Sequence, residues 1–218
     1  MIASYSPCPL CGGMPAEPYH TDAQRSFFRC AVCTLIYLDP AARLSPEDES
    51  ARYTLHDNAA DDLRYSQFLS RLADPLARHL KPGARGLDFG CGPAPVLAKL
   101  LSDAGFPCEF YDPFFAPKSD LLEREYDFVA ASEVVEHAYD PAAMFTLFAR
   151  LLAHGGTLGI MTRFYGHEEP FDEWWYRRDP THVCFYDEAT MQWIATQHGW
   201  TVAFPRPHVA LFLVPHPR

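Results

Sequence analysis

The sequence predicts an α/β fold, a doubly wound and mostly parallel sheet, with a small four-cysteine module ahead of it. Three observations predict it. Strand-like and helix-like segments alternate from about residue 85 to 198. One short apolar strand, Gly86-Leu87-Asp88-Phe89, runs directly into Gly90-Cys91-Gly92-Pro93-Ala94 and a helical stretch. Four of the seven cysteines stand as two C-x2-C pairs within the first forty residues. Strands that alternate with helices pair in parallel, with helices on both faces and ligands at the strands' carboxyl ends.

The chain of 218 residues, 48% of them hydrophobic, is long enough to bury one substantial core and carry an appendage. Its formal charge of −10 argues against a general role on nucleic acid, where Lys and Arg must displace counterions. Residues 1–7 lack the basic start and apolar run of a signal peptide. No uninterrupted apolar stretch reaches the ~18 residues of a membrane span, so a cytoplasmic chain without a membrane partner is expected.

Taken in order, the first element is a module over residues 1–40. Cys8 and Cys11, eighteen intervening residues, then Cys30 and Cys33 match the spacing of a four-thiolate zinc site. Two disulfides would be disfavoured in a reducing cytosol, and a redox pair needs no duplicate. A filled four-ligand shell leaves no open position for chemistry, so the zinc is expected to be structural. Only Arg25 and Arg29 face three acidic residues here, which points to packing on the rest of the chain rather than to gripping nucleic acid.

Residues 41–83 read as a helical connector. Leu63, Phe68, Leu69, Leu72, Leu76 and Leu80 recur near helical spacing, and Asp74-Pro75 reads as a cap plus first-turn proline, which allows two helices in place of one. Tyr53, His56, Asn58 and Tyr65 form a polar-aromatic group that is a candidate to close over a ligand. Beyond residue 84 the pattern gives strands near 85–89, 108–111, 126–131 and 157–162, and helices near 94–104, 141–152 and 188–198.

The turn after the first of these strands carries the ligand argument. Its glycines allow a tight turn and a close ligand approach. A dinucleotide site would usually show G-x-G-x-x-G. Here Asp88 precedes the glycines by two residues, and Asp112 ends the next strand after Phe110-Tyr111. This arrangement resembles the acidic-x-G-x-G turn of class I methyltransferases, a Rossmann-like family. So do Tyr126-Asp127-Phe128-Val129-Ala130-Ala131-Ser132-Glu133-Val134-Val135-Glu136-His137 and Leu151 to Leu158 with their glycine turn. The cysteine pairs and Asp179-Pro180-Thr181-His182-Val183 extend the resemblance to bacterial zinc-ribbon members, similar to ubiquinone-pathway O-methyltransferases.

The resemblance implies S-adenosylmethionine as cofactor, held by Asp88, Phe89, Gly90, Gly92, Asp112, Ser132 and Glu133, with Asp112 on the ribose hydroxyls. Two departures stand out. Ala94 replaces a frequent third glycine, and only fourteen residues separate Asp112 from Asp127, so the usual helix and third strand are shortened or missing.

Glu133, Glu136 and His137 lie at i, i+3 and i+4, which on a helical turn is one face. Two carboxylates and an imidazole suit a second, divalent metal. A similar E-x-x-E-H segment is used that way in ubiquinone-pathway and small-RNA methyltransferases, with a further histidine, for which His182 is the candidate. Two other readings stand beside it: His137 or His182 as general base with Glu136 in support, or purely structural roles.

Residues 163–186 hold eight aromatics and read as an insertion that forms a lid or pocket wall, or simply its own core. Arg177 and Arg178 bind an acidic substrate or pair with Asp172, Glu173 and Asp179. With residues 84–218 as the methyltransferase domain, the function expected is methyl transfer from S-adenosylmethionine to a small-molecule acceptor at a hydroxyl oxygen. The alternatives are a methyltransferase-like scaffold with a degenerate site and a zinc-ribbon RNA methyltransferase.

Overall fold

The computed structural model describes residues 6–14, 16–53, 62–166 and 169–216. In chain order the elements begin with strands β1 (Ala16–Thr21), β2 (Ser26–Cys30) and β3 (Ile36–Leu38), then helices α1 (Pro46–Tyr53) and α2 (Leu63–His79). An alternating series follows: β4 (Gly86–Phe89), α3 (Val96–Asp103), β5 (Cys108–Tyr111), β6 (Tyr126–Ser132), α4 (Pro141–Leu151) and β7 (Leu152–Met161). The chain finishes with β8 (Cys184–Phe185), α5 (Glu188–His198), β9 (Thr201–Arg206) and β10 (Val209–Leu213).

The larger sheet has the order β5-β4-β6-β7-β10-β9. β4 pairs in parallel with β5 and β6, and β6 with β7, while β10 runs antiparallel to β7 and β9. Period-two alternation sorts its side chains between two cores. Phe128 and Ala130 join Leu72, Leu76, Leu97 and Leu101 under α2 and α3. Val129 and Ala131 face the other way, toward Phe145, Phe148 and Ile194 of α4 and α5.

α2 is one helix with Pro75 inside it, so the break at Asp74-Pro75 is corrected. Proline in a helix interior costs about 3 kcal/mol. Leu72 and Leu76 on either side of it are fully buried, and each such side chain stabilises by about 1.5–3 kcal/mol, which holds the helix together. Asp74 caps nothing here but pairs with Arg206 at 3.1 Å, and the cap is Asp62, which accepts the Arg64 N–H at 2.8 Å.

Between β5 and β6 there is neither a third strand nor an α-helix, only a bridge from Asp112 to Ala116 and a 3-10 turn over Ser119–Glu123. β5 is therefore the sheet's edge, and the loop after it lies beside the carboxyl ends of the strands.

The four-cysteine module forms the second sheet, in the order β1-β2-β3-β8. Its last strand comes from the aromatic insertion more than 140 residues along the chain, with Ile36 opposite Phe185 and Tyr37 opposite Cys184. Of the insertion's eight aromatics, Trp175 alone is exposed, at 52%, and the others are buried with Phe27, Phe28 and Tyr37 of the module. The two regions share one core. Among the described residues no helix is long and apolar enough to cross a membrane.

Candidate functional site

At the carboxyl ends of β4, β5 and β6 lies a cavity of about 650 Å3. One wall is the turn after β4, where Gly90 (φ 77°) and Gly92 (φ 65°) both occupy the left-handed region. The N–H groups of Gly90 and Cys91 donate to the Tyr111 carbonyl at 2.8 and 3.2 Å. A Cβ on Gly92 would meet no protein atom within 4 Å, so the turn leaves open space where a ligand can approach the backbone.

Asp112 organises this wall. One carboxylate oxygen accepts the Gly92 N–H at 3.0 Å, and the other accepts the N–H groups of Phe114 and Phe115 at 2.8 and 3.0 Å. A carboxylate offers about four lone-pair positions, so one acceptor position remains after these three bonds. The two phenylalanines it holds are 50% and 40% exposed and line the cavity. Sequence reasoning missed them, although an aromatic pair directly behind Asp112-Pro113 in a shortened segment was a usable signal.

Asp88 lies behind the turn and does not line the cavity. It is buried and accepts the Ala98 N–H at 3.1 Å, in the first turn of α3, where unpaired amides favour a carboxylate. Burial pushes its carboxyl up to about 7, with the charge of Asp112 adding to the effect. Phe89, Gly90, Gly92, Asp112, Ser132 and Glu133 do line the cavity. The buried Ser132 Oγ has no hydrogen-bond partner, a sign of a wall built for a polar ligand.

The helical turn expected across Glu133–His137 is not formed. Glu133 sits at φ 54°, and a 3-10 turn begins at Val135, so the i, i+3, i+4 spacing does not decide what meets. Tertiary contacts decide instead. Tyr176, from the insertion, donates its hydroxyl to Glu136 and lies 3.1 Å from Glu133 Oε2. Burial raises both carboxyls, and for Glu133 the neighbouring Glu136 adds to it. Burial also raises Tyr176 far above the usual tyrosine range, so its proton stays in place.

His137 and His182 meet edge to face with ring centroids 4.8 Å apart. His137 Nδ1 lies 3.1 Å from the Thr181 carbonyl, and His182 Nδ1 lies 2.7 Å from the Tyr176 carbonyl. A carbonyl only accepts, so each ring donates from Nδ1. Burial lowers the pKa of His137, which keeps it neutral. Asp179, also lining the cavity, is disfavoured as an anion by burial. Its bonds from Thr181 and the neighbouring His182 outweigh that and hold it below the usual carboxylate range.

Among the described residues, two clusters could hold a metal ion. The sulfurs of Cys8, Cys11, Cys30 and Cys33 all lie within 4.8 Å of one another, with Cys8–Cys33 at 3.5 Å and Cys11–Cys30 at 3.4 Å. Tetrahedral zinc with Zn–S near 2.3 Å sets sulfurs about 3.8 Å apart, so the four cysteines fit it. In the second cluster, donor atoms of Glu136, His137 and His182 lie within 4.8 Å of one another, and the buried Glu136 Oε2 has no partner. Glu133, expected among these ligands, is not in that group.

The rest of the sequence-chosen residues divide. Tyr65 lines the cavity, whereas His56 and Asn58 lie outside the described residues. Arg177 is buried against Asp22 of the module at 3.0 Å and donates to the carbonyls of Phe171 and Asp172, so it is not turned to a substrate. Arg178 donates to the Glu173 carbonyl at 3.3 Å. Trp175 and Tyr176 are the two insertion aromatics that line the cavity.

The sequence profile of a family described as a methyltransferase domain matches residues 58–203, well over half of the chain. No curated protein matches it. Among solved structures, the chain is similar to the Burkholderia thailandensis 1,6-didemethyltoxoflavin-N1-methyltransferase with bound 1,6-didemethyltoxoflavin and S-adenosylhomocysteine. That likeness has 17% identity and a TM-score of 0.54, and covers 92% of this chain and 100% of that one. An O-methyltransferase of neocarzinostatin biosynthesis, in complex with S-adenosylhomocysteine and 1,4-dihydroxy-2-naphthoic acid, matches at 16% identity and TM-score 0.55, over 78% of this chain and 61% of that one. An O-methyltransferase family protein from Burkholderia thailandensis matches at 15% and 0.51, over 78% and 64%. At these identities the likeness speaks for the fold.

Proposed function

Because the chain belongs to the methyltransferase-domain family and has the class I S-adenosylmethionine-dependent fold, we propose that it transfers a methyl group from S-adenosylmethionine to a hydroxyl oxygen of a small-molecule acceptor. One observation carries this reading. The glycine turn with Asp112 and the paired imidazoles of His137 and His182 line a single cavity. A cofactor site and a proton acceptor thus share one space.

Gly90, Gly92, Asp112 and Ser132 would hold the cofactor's polar parts, and Phe114 and Phe115 would replace the wall that the missing strand and helix leave open. Asp88 would act from behind, as the anchor between β4 and α3. When bound, S-adenosylmethionine supplies a methyl group already activated on a sulfonium, so the protein has to align the acceptor and take its proton. Nε2 of His137, which burial keeps neutral, or of His182 is the group for that step, and Asp179 beside them favours the imidazolium that results. Trp175 gives the acceptor side apolar ring surface, which suits an aromatic or similarly planar molecule.

A second reading concerns the same residues. The orphaned Glu136 Oε2 beside the two imidazoles favours a divalent cation held by Glu136, His137 and His182, which would lower the pKa of a bound hydroxyl. Metal analysis of Glu136→Gln tests it, because a cation that survives the substitution is held elsewhere.

Calorimetry with S-adenosylhomocysteine, followed by incubation of labelled S-adenosylmethionine with phenolic, catecholic and sugar hydroxyls, tests the main reading. Micromolar binding and label on an acceptor oxygen are expected. Absence of binding by the purified chain overturns it.

A further inference from the structure

The four-cysteine sheet is not an appendage to the acceptor side of the cavity but its continuation. Cys30 and Cys33 form a tight knuckle: the Cys30 N–H donates to the Leu35 carbonyl at 2.9 Å, and the Thr34 N–H returns to the Cys30 carbonyl at 3.0 Å. β3 leaves this knuckle directly and pairs with β8. At the end of β3 the Leu38 N–H donates to the Val183 carbonyl at 2.9 Å, and the Val183 N–H donates to the carbonyl of Glu136 at 2.8 Å. Val183 therefore bridges the cysteine sheet to the Glu136–His137 turn, and it is the residue next to His182.

Other bonds tie the same two regions. The Cys184 thiol approaches the Ala138 carbonyl at 3.4 Å, and the Tyr186 hydroxyl donates to the Val135 carbonyl at 3.0 Å. Thr34, inside the knuckle, accepts the Tyr165 hydroxyl on its carbonyl at 2.8 Å and donates its own hydroxyl to Asp187 at 2.9 Å. Arg177, directly after Tyr176, pairs with Asp22, and Arg25 donates to the Arg177 carbonyl at 2.9 Å. The glycine turn is held differently, by Tyr111 at the end of β5 and Asp112 just beyond it, with Asp88 of β4 behind.

We propose that the ion bound by Cys8, Cys11, Cys30 and Cys33 positions the acceptor half of the cavity, fixing His182 and the Glu136–His137 turn through β3 and Val183, while the cofactor half stands without it. The physical reason is that the two cysteine turns turn their sulfurs toward one another, so the energy of metal binding is also energy of ordering these turns, and β3 starts from the second of them. β8 is two residues long and keeps its place by pairing with β3. Leu38 and Val183 act as positioning residues. Their effect on catalysis rests on the role proposed for His182, but the coupling itself does not.

Hydrogen–deuterium exchange on the full chain, zinc-loaded and then stripped with a chelator, separates these statements. Stripping acts on folded protein, so the result does not depend on a Cys30→Ser variant that can fail to fold. On loss of the ion, amides in 135–139 and 181–186 are expected to exchange about tenfold faster or more, and to recover when zinc is returned. Amides in 86–92 and 108–112 are expected to stay within about twofold, and affinity for S-adenosylhomocysteine within about threefold. Three results overturn the proposal: purified protein that carries no ion, an ion lost with 181–186 unchanged, or all segments accelerating together. None of these readouts needs a methyl acceptor, so failure of the coupling and failure of the methyl-transfer reading are separate outcomes.

Discussion

Replacing Asp112 with Asn tests how the cofactor wall is built. Its two carboxylate oxygens serve different donors, the Gly92 N–H on one side and the Phe114 and Phe115 N–H groups on the other. Asn has one oxygen and one NH2, so no orientation satisfies both sides. If the oxygen keeps Phe114 and Phe115, the NH2 faces the Gly92 N–H and that bond is lost, together with the charge. A hydrogen bond to a charged acceptor contributes about 1.5–3 kcal/mol, so losing one is expected to lower stability by roughly that amount. The reversed orientation loses two bonds and costs more. The acceptor position left for a ligand loses its charge as well, so S-adenosylhomocysteine affinity should fall by about tenfold to a hundredfold. Urea unfolding reads the first effect and calorimetry the second. Asp112→Asn with wild-type stability and wild-type affinity would refute the assignment. Lost affinity at unchanged stability would show that the carboxylate serves the ligand and not the turn.

Three further outcomes are expected. Asp88 has an ordinary pKa of 3.8 when exposed and about 7 in the fold, so the folded chain binds its proton more tightly. The stability this gives is full below about pH 4 and lost as pH rises toward 7, on the order of 4 kcal/mol at most. The stability difference between wild type and Asp88→Asn, measured by urea unfolding at pH 5 and 7.5, should therefore shift by kilocalories, and a constant difference contradicts the burial argument. Gly92→Ala places its Cβ in open cavity, whereas Gly90→Ala drives it to 2.5 Å from Val134 Cγ2. The first should cost about 1–2 kcal/mol of stability from its left-handed backbone yet weaken cofactor binding, and the second should lose more stability, as unfolding beside calorimetry will tell. His182→Ala should lower methyl transfer by about a hundredfold or more while leaving S-adenosylhomocysteine affinity nearly unchanged, and equal losses in both would remove His182 from the proton-transfer role.

Much of the molecule was legible in the chain itself. The short apolar runs of β4 and β6, the glycine turn and the C-x2-C pairs are local patterns, set by backbone sterics and by burial on both faces of the sheet, so they could be read residue by residue. The shortened stretch from Asp112 to Asp127 announced the missing strand and helix by length alone. The Asp74-Pro75 signal misled because buried leucines on both sides outweigh a single lost helical hydrogen bond.

What the sequence could not supply were contacts between distant segments. Nothing local says that Cys184–Phe185 completes the cysteine sheet, that Asp22 rather than a nearby carboxylate pairs with Arg177, or that the Tyr176 hydroxyl draws Glu133 and Glu136 together. The E-x-x-E-H spacing promised a shared helical face, but the chain turns at Glu133 with a positive φ, so the grouping that results is Glu136, His137 and His182. The physical reason is common to all of these. Local sequence sets the conformations a segment favours, while buried charge, hydroxyl and imidazole groups must find partners wherever the packed chain brings them, and only the tertiary structure decides which ones they find.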